Sequence, residues 1–316
     1  MIVITGARGF IGSNLAKKMN DEGHDNLILV DELANTDKTS NLSDLQYKHL
    51  IDRNDFIAWA KENTDKIDFI FHLGARTDTT ESDKELLDKL NYHYSQHLWT
   101  FCTEYNIPFI YASSAATYGD GQFGYDDEST APLLPLNQYG WSKQNFDLWT
   151  KEQEKTPPYY VGLKFFNVYG ANEYHKGRMA SVIFHAYNQI SETGGMKLFQ
   201  SHNKNYANGE QKRDFIYVKD IVNVCFFLYK NKVENGIYNL GTGTARTFND
   251  LVRAVFTAMQ IDENISYIPM PLDIRDKYQY YTEAKMNKLI NQGYKTPFYS
   301  LEDGVKDYIE NYLSKR

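Results

Sequence analysis

Cysteine is nearly absent: the 316 residues include only Cys102 and Cys225. Both sit in apolar, helix-like surroundings, which predicts buried core thiols and argues against a disulfide framework or a metal site. Basic blocks are missing as well. With 34 Lys and Arg against 41 Asp and Glu the formal charge is −7, so nucleic acid and acidic membrane surfaces are poor candidates for a main partner. No apolar run approaches the ~20 residues that a membrane helix needs. Strand residues begin at Met1, without the basic and apolar segments of a signal peptide, so a cytoplasmic protein is expected. Internal repeats and low-complexity segments are also lacking. The length allows a full core, in one large domain or two modest ones. One residue type is in excess, the 25 tyrosines, and composition does not explain them.

What is present is organised around the first thirty-one residues. Met1-Ile2-Val3-Ile4-Thr5 is a β-branched run that breaks at Gly6, and Gly6-Ala7-Arg8-Gly9-Phe10-Ile11-Gly12 leads into a helical stretch through Met19. A second strand, Leu27-Ile28-Leu29-Val30, closes on Asp31. In a dinucleotide site one glycine makes the tight turn, one admits the pyrophosphate and one lets the helix pack on the strand. The pyrophosphate then rests on N–H groups at the positive end of the helix. An acid about twenty residues on can bond a ribose hydroxyl. Taken alone, Asp31 favours NAD, because a carboxylate repels a 2′-phosphate.

The same rhythm continues. Ile67 to Leu73 reads as a buried strand ended by Gly74-Ala75, Leu86 to Tyr105 as a helix, and Pro108 to Ala112 as a strand running into Ser113-Ser114. A helix is expected from about Gln138 to Glu154 and a strand over Tyr160 to Phe166. Alternating strands and helices imply parallel pairing with right-handed crossovers: a Rossmann-like, doubly wound α/β sheet. Beyond Tyr169 the rhythm changes. Met179 to Ile190 reads as a helix, Lys197 to Phe199, Arg213 to Val218 and Tyr238 to Gly241 as short strands, and Ser201 to Gln211 as a polar loop. Asp220, Thr247 and Ser300 can each cap a following helix, the last two with Asp250 and Asp303 in the first turn. The expected division is a nucleotide-binding domain over 1–170, with 214–241 added, and a smaller C-terminal α/β substrate domain over 171–316. Ligands are expected at the carboxyl ends of the strands, beside the second domain.

Tyr-x-x-x-Lys occurs three times, as Tyr139/Lys143, Tyr160/Lys164 and Tyr281/Lys285. In a strand, residues four apart are separated by roughly 13 Å, which removes Tyr160/Lys164. In a helix they face the same way at about 5–6 Å. Only Tyr139/Lys143 also follows a Ser-Ser strand end, 25 residues after Ser114. Lowering a tyrosine from ~10 to ~7 requires about 4 kcal/mol. An ammonium about 4 Å away, at an effective dielectric near 20, supplies on the order of 4 kcal/mol. Lys143 is therefore expected to activate Tyr139 nearly unaided, with Ser114 holding the substrate oxygen. Such a site moves a hydride at a carbinol carbon while Tyr139 moves the proton.

Gly6-x-x-Gly9-x-x-Gly12, Ser114 and Tyr139-x-x-x-Lys143 together resemble the extended short-chain dehydrogenase/reductases, in their nucleotide-sugar epimerase branch. More narrowly, the runs Tyr111 to Gly119, Phe166 to Gly170, His175 to Ser181, Lys212 to Phe215, Tyr238 to Gly243 and Arg275 to Gln279 resemble the ADP-L-glycero-D-manno-heptose 6-epimerase family. The resemblance spans most of the chain, and the His175 to Ser181 run is the most specific. It implies an isomerase that oxidises C6 of an ADP-bound heptose transiently, using bound NADP, and returns the hydride to the opposite face. That activity supplies a precursor for the lipopolysaccharide core. It also implies a homo-oligomer, in the family a homopentamer.

By the same resemblance Lys176 is the second acid/base, where the residue alone reads as a solvated loop lysine. Substrate contacts carried over are Ser114, Asn167, Arg178, His185, Phe199, Gln200, Ser201, His202, Arg213 and Tyr278. Cofactor contacts carried over, beyond the glycines, are Phe10, Ile11, Asp31, Glu32, Lys38, Arg53, Leu73, Gly74, Ala75, Arg76, Asn91, Lys143 and Val168. Lys38 and Arg53 are cations that can answer a 2′-phosphate, so NADP is preferred over NAD. Two places depart from the family's pattern: Ala171-Asn172-Glu173, where relatives usually carry Pro-Arg, and a long Ser201 to Gln211 loop.

Three other readings compete. A 4,6-dehydratase needs an acid and a base just after the strand-end hydroxyl, and Ala115-Ala116 can be neither. A UDP-sugar 4-epimerase shares Ser114, Tyr139 and Lys143, and only the Lys176 run and Lys212-Arg213-Asp214-Phe215 argue against it. A non-catalytic dinucleotide sensor has no need to keep serine, tyrosine and lysine together.

Overall fold

The structure is a computed structural model and describes residues 1–275 and 278–316. Asp276 and Lys277, within the Arg275 to Gln279 run, lie outside the described residues. The chain divides into two compact units. One holds residues 1–117, 133–165 and 222–238, and the other holds 118–132, 166–221 and 239–316.

The first unit is built on a seven-stranded sheet of β1 (Ile2–Thr5), β2 (Leu27–Asp31), β3 (His49–Asp52), β4 (Phe69–His72), β5 (Phe109–Ser114), β6 (Tyr160–Phe165) and a later strand, Gly236–Leu240. The spatial order is the later strand, then β6, β5, β4, β1, β2, β3. The pairs from β6 across to β3 are parallel, which is the doubly wound order expected of a dinucleotide fold. Strands β1, β2 and β4 are buried at every residue, as near-continuous apolar runs covered on both faces should be. On one face Trp99, Phe101 and Phe146 pack against Val3, Ile70 and Phe109. In register Thr5 lies beside Val30 and His72, and His72 beside Tyr111, so the strand ends and the loops they feed share one edge.

Helix α1 (Phe10–Asp21) follows β1. The helix expected over Leu86 to Tyr105 runs from Lys84 to Glu104, with a π-helical turn over Asp88–His93. Helix α5, the name used for Gln138–Lys151 after α2 (Phe56–Lys61), α3 (Lys84–Leu87) and α4 (Tyr94–Glu104), starts at the Asn137 cap, whose side chain accepts the Gly140 N–H at 2.8 Å.

In the second unit β7 (Asn167–Tyr169) pairs in parallel with β9 (Lys212–Tyr217). Strand β11 (Ala245–Thr247) pairs antiparallel with the other edge of β9. A separate parallel pair joins β8 (Met196–Phe199) to β12 (Ile265–Ile268). The strand over Gly236–Leu240 is β10 in this order. Helix α6 (Val182–Thr193) begins three residues later than the expected Met179, because Tyr174–Met179 forms a 3-10 turn and Ser181 caps the helix. Thr247 and Asp250 form a reciprocal capping box on α8 (Phe248–Met259), α7 being Val218–Lys230. Ser300 caps the terminal helix Leu301–Asn311 by accepting the Asp303 N–H at 3.0 Å. Asp220 does not precede its helix as a cap: α7 already starts at Val218, and the Asp220 carboxylate accepts the Tyr299 N–H at 3.1 Å.

The division differs from the sequence boundary at 118–132, 166–170, 214–221 and 239–241, and two of these differences have a clear local cause. Residues 118–132 join the second unit because Tyr118 donates to Asn239 at 2.7 Å, Asp126 pairs with Lys285 at 2.7 Å and Tyr125 donates to the Tyr281 carbonyl. Residues 214–221 stay there as well, because β9 pairs with β7 and β11 and not with the large sheet. Cys102 and Cys225 are free and buried. Among the described residues no helix is long and apolar enough to cross a membrane.

Candidate active site

The glycine turn forms a cradle. Gly6 has φ +68°, and a Cβ there would lie 2.6 Å from the Gly74 backbone. A Cβ at Gly12 would lie 2.1 Å from the Gly6 carbonyl oxygen. The loops after β1 and β4 and the start of α1 thus close on one another with no room for a side chain, which fits the backbone approach a dinucleotide pyrophosphate requires. Asp31 closes the next strand and is turned into this cradle. Its carboxylate accepts the Arg8 and Glu32 N–H groups, each at 2.8 Å, with the Lys38 ammonium 3.9 Å away. Arg53 pairs with Glu32 at 2.8 Å. Both expected phosphate cations therefore already face the two acids at the end of β2. Arg8, which the sequence reading passed over, is buried and holds the loop beyond β2 through the Glu32 carbonyl at 3.0 Å and the Thr39 hydroxyl at 2.5 Å.

Asn91 lies in the π-helical turn with no exposed surface. Its amide accepts the Arg76 N–H at 2.8 Å and donates to the Arg76 carbonyl and the Ser142 hydroxyl, both at 2.9 Å. It thereby ties the Leu73 to Arg76 strand end to α5. Arg76 itself is exposed and pairs with Glu81 at 3.0 Å.

Ser114 ends β5, and Tyr139 and Lys143 are buried one helical turn apart on α5. Tyr139 is hydrogen-bonded with Ser114, which pulls its pKa down while burial, the larger effect, pushes it up. The Lys143 ammonium donates to the Ala112 carbonyl at 3.0 Å, and burial brings its pKa down to about 8 against the opposing charge of Asp147. Here the structure corrects the electrostatic expectation. Lys143 is engaged by the backbone at the end of β5, and in the protein alone burial outweighs the Ser114 bond, so the phenol is held above its ordinary value. Shared helical spacing places two Cβ atoms together but leaves the end of a four-carbon stem free to bond elsewhere.

The rejected tyrosine–lysine pairs are resolved as well. Tyr160 and Lys164 lie on β6, and the Lys164 ammonium is buried against Asp147 at 2.7 Å and Thr117 at 2.6 Å. Asp147 also accepts from Tyr111 at 3.1 Å and Ser113 at 2.7 Å. This network, one turn beyond Lys143, was legible only as Asp147 standing at i+4 from it. Tyr281 and Lys285 are not helical; Lys285 pairs with Asp126.

In the second unit Arg213 is buried, donates to the Lys212 carbonyl at 2.9 Å and to the Gln279 carbonyl, and lies 5.4 Å from the Tyr278 ring centre. Gln211 donates to the Tyr278 hydroxyl at 3.2 Å, and the His202 N–H donates to Tyr280, whose ring contacts Tyr278. Arg213, Tyr278 and His202 are thus gathered in one cluster. Phe199 ends β8 and Gln200 follows it, Ser201 starts the polar loop by donating to the Asn203 carbonyl, Asn167 and Val168 sit on β7, and His185 is exposed on α6. Lys176 and Arg178 share the 3-10 turn before α6. Burial lowers the Lys176 pKa, with Glu173 opposing.

A glycine-cradled parallel sheet whose fifth strand and following helix carry serine, tyrosine and lysine has the form of a dinucleotide-binding fold with a tyrosine–lysine site. Residues 2–241 match the model of the NAD dependent epimerase/dehydratase family, and the chain belongs to that family. It is 48% identical to an ADP-L-glycero-D-manno-heptose-6-epimerase of Fusobacterium nucleatum over 100% of this chain and 98% of that relative. An enzyme of the same name from Nitratidesulfovibrio vulgaris is 47% identical over 99% of this chain and 98% of its own. Within the larger family the chain belongs with these heptose epimerases. The crystal structure of Helicobacter pylori ADP-L-glycero-D-manno-heptose-6-epimerase is similar, with a TM-score of 0.81 at 29% identity over 98% of this chain and 95% of that one. So is a UDP-N-acetylglucosamine 4-epimerase from Methanobrevibacter ruminantium, at 0.84 and 25% over 100% and 98%. The backbone alone does not separate these two kinds of relative.

Proposed function

We propose that this chain interconverts ADP-D-glycero-β-D-manno-heptose and ADP-L-glycero-β-D-manno-heptose by transient oxidation at C6, as a cytoplasmic enzyme of nucleotide-heptose biosynthesis. The observation that carries the chemistry is Ser114 against buried Tyr139 at the same sheet edge as the glycine cradle. The substrate is supported by the near-half identity to heptose epimerases along the whole chain.

Reversible hydride uptake is the chemistry a bound nicotinamide dinucleotide supplies. Gly6, Gly9 and Gly12 would hold its pyrophosphate, Asp31, Glu32, Lys38 and Arg53 would surround its adenosine ribose, and Lys143 would stand at its nicotinamide end. We take it to be NADP, with Lys38 and Arg53 turning from their acids to the 2′-phosphate. Tyr139 takes the hydroxyl proton as one epimer is oxidised, Lys176 supplies a proton to the same oxygen as the other epimer forms, the two roles exchange in the reverse direction, and Ser114 holds the oxygen. Lys176 serves as the second acid/base for the opposite face of the carbon. Burial lowers its pKa, the direction that eases proton transfer from an ammonium. Arg213 and Tyr278 bind the sugar nucleotide.

Two variants test the assignment. Tyr139→Phe and Lys176→Met should each lower epimerisation of an ADP-heptose by roughly 10²- to 10⁴-fold, the range for a lost acid/base group. Near-normal rates in both would reject the two-base reading.

A further inference from the structure

The loop that carries Lys176 is closed by one side chain. Glu173 is 1% exposed. Its carboxylate accepts the Ser181 hydroxyl at 2.7 Å and the Gly170 N–H at 3.3 Å on one oxygen, and the Ser181 N–H at 2.5 Å on the other. Its backbone carbonyl accepts the Lys176 N–H at 2.9 Å. Ser181 in turn caps α6 by accepting the Phe184 N–H at 3.2 Å. One buried acid thus joins the start of the loop, the Lys176 backbone and the first turn of α6.

Burying a carboxylate is costly unless hydrogen bonds and a nearby charge compensate it. Here the compensation comes from the two loop ends and from Lys176, whose charge opposes the burial that raises Glu173. The other ionisable groups that act on this carboxylate are few. Tyr174 on the same turn lies under the Arg316 guanidinium, 3.6 Å from its ring centre, and Tyr308 reaches it from the terminal helix. Loop closure alone could be achieved by neutral acceptors. A charged acceptor adds to loop closure a fixed negative charge that acts on Lys176, three residues along the same turn.

We propose that Glu173 is a positioning residue for the epimerisation: its buried carboxylate closes the Gly170 to Ser181 loop and holds Lys176 in place beside a fixed negative charge. This rests on Lys176 being the second acid/base. Glu173→Gln keeps the volume and removes the charge, and Glu173→Ala removes both. In each, kcat should fall roughly 10- to 100-fold, the cost of a misplaced reactive group, with KM changed less than about threefold. Amide hydrogen exchange over residues 174–180 should quicken while the rest of the chain is unchanged, and the alkaline limb of the kcat profile should move down in pH. Lys176→Met run alongside separates the two claims. If it is inactive while both Glu173 variants keep wild-type kcat, pH profile and exchange, the positioning role is overturned. If it is fully active, the acid/base reading falls, and this proposal with it.

Discussion

His72 ends β4 beside the cradle, and its protonation state follows from its neighbours. Ser95 spends its hydroxyl hydrogen on the Asn91 carbonyl at 2.6 Å, so the His72 Nε2–H must donate to the Ser95 oxygen at 2.9 Å. Nδ1 then accepts from Thr5 at 2.7 Å, which leaves the Thr5 oxygen to accept the Gly74 N–H at 3.2 Å. A neutral ring therefore fixes the turn that meets Gly6. Burial, aided by the Lys143 charge, holds its pKa down to about 3. The unfolded ring binds a proton below its ordinary value near ~6.5 while the native ring does not, so this contribution to stability is complete above that pH. It is lost as pH falls toward 3, up to about 5 kcal/mol by linkage. Urea unfolding between pH 7 and 4 should therefore show a steeper loss for the wild type than for His72→Asn, and parallel curves would contradict the assignment. None of this was legible in the sequence, where His72 is one apolar-strand residue among seven. Tyr139 teaches the converse. Its place could be read from spacing and a strand end, but its electrostatics could not, because the Lys143 stem reaches the Ala112 carbonyl.

Among the elements, α5 carries Tyr139 and Lys143 of the proposed mechanism, and a buried ion pair fixes it to the sheet. Lys164 on β6 meets Asp147 on α5, both almost fully buried. Removing the cation strands the carboxylate, so Lys164→Met should destabilise the protein by about 3–5 kcal/mol, while Lys164→Met with Asp147→Leu should recover much of the loss. A single variant as stable as wild type in urea unfolding would show that the pair does not anchor the helix. Long periodic elements such as α1 and α5 and the apolar strands β1, β2, β4, β5 and β6 could be read from the sequence. Strand β3 could not. It is a four-residue edge strand, His49–Asp52, with no fully buried residue and so no apolar run to announce it. Strands β7 and β11, three residues each, are set by pairing with β9 and not by their own pattern. The true start of α6 was hidden for a related reason: the Glu173 clamp holds Tyr174–Met179 outside the helix, and that contact lies in the fold, not in local propensity.

At the scale of the whole molecule the tyrosine excess finds an account. Four act as core aromatics whose hydroxyl meets an acceptor within the fold: Tyr111 with Asp147, Tyr118 with Asn239, Tyr159 with the Leu228 carbonyl and Tyr217 with Asp307. A phenol there packs like phenylalanine and adds a bond. The motifs Lys212-Arg213-Asp214-Phe215 and Leu240-Gly241-Thr242-Gly243 also become one feature, because the buried Asp214 carboxylate accepts the Thr242, Gly243 and Ala284 N–H groups at 2.7, 2.9 and 3.0 Å. Sequence showed the two runs, and only the fold shows that one holds the other. The first unit fits a nicotinamide dinucleotide, and with Lys38 and Arg53 as the proposed phosphate cations mass spectrometry of the nucleotide released on denaturation should give NADP; NAD alone would return the choice to Asp31. Substrate identity is a property of the full chain, since heptose and UDP-sugar epimerases share its backbone. The most direct measurement is incubation of the purified protein with ADP-D-glycero-D-manno-heptose while the sugar protons are followed by NMR. The account predicts signals of the C6 epimer growing to equilibrium; an unchanged C6 centre, with turnover of a UDP-sugar at C4, would contradict it.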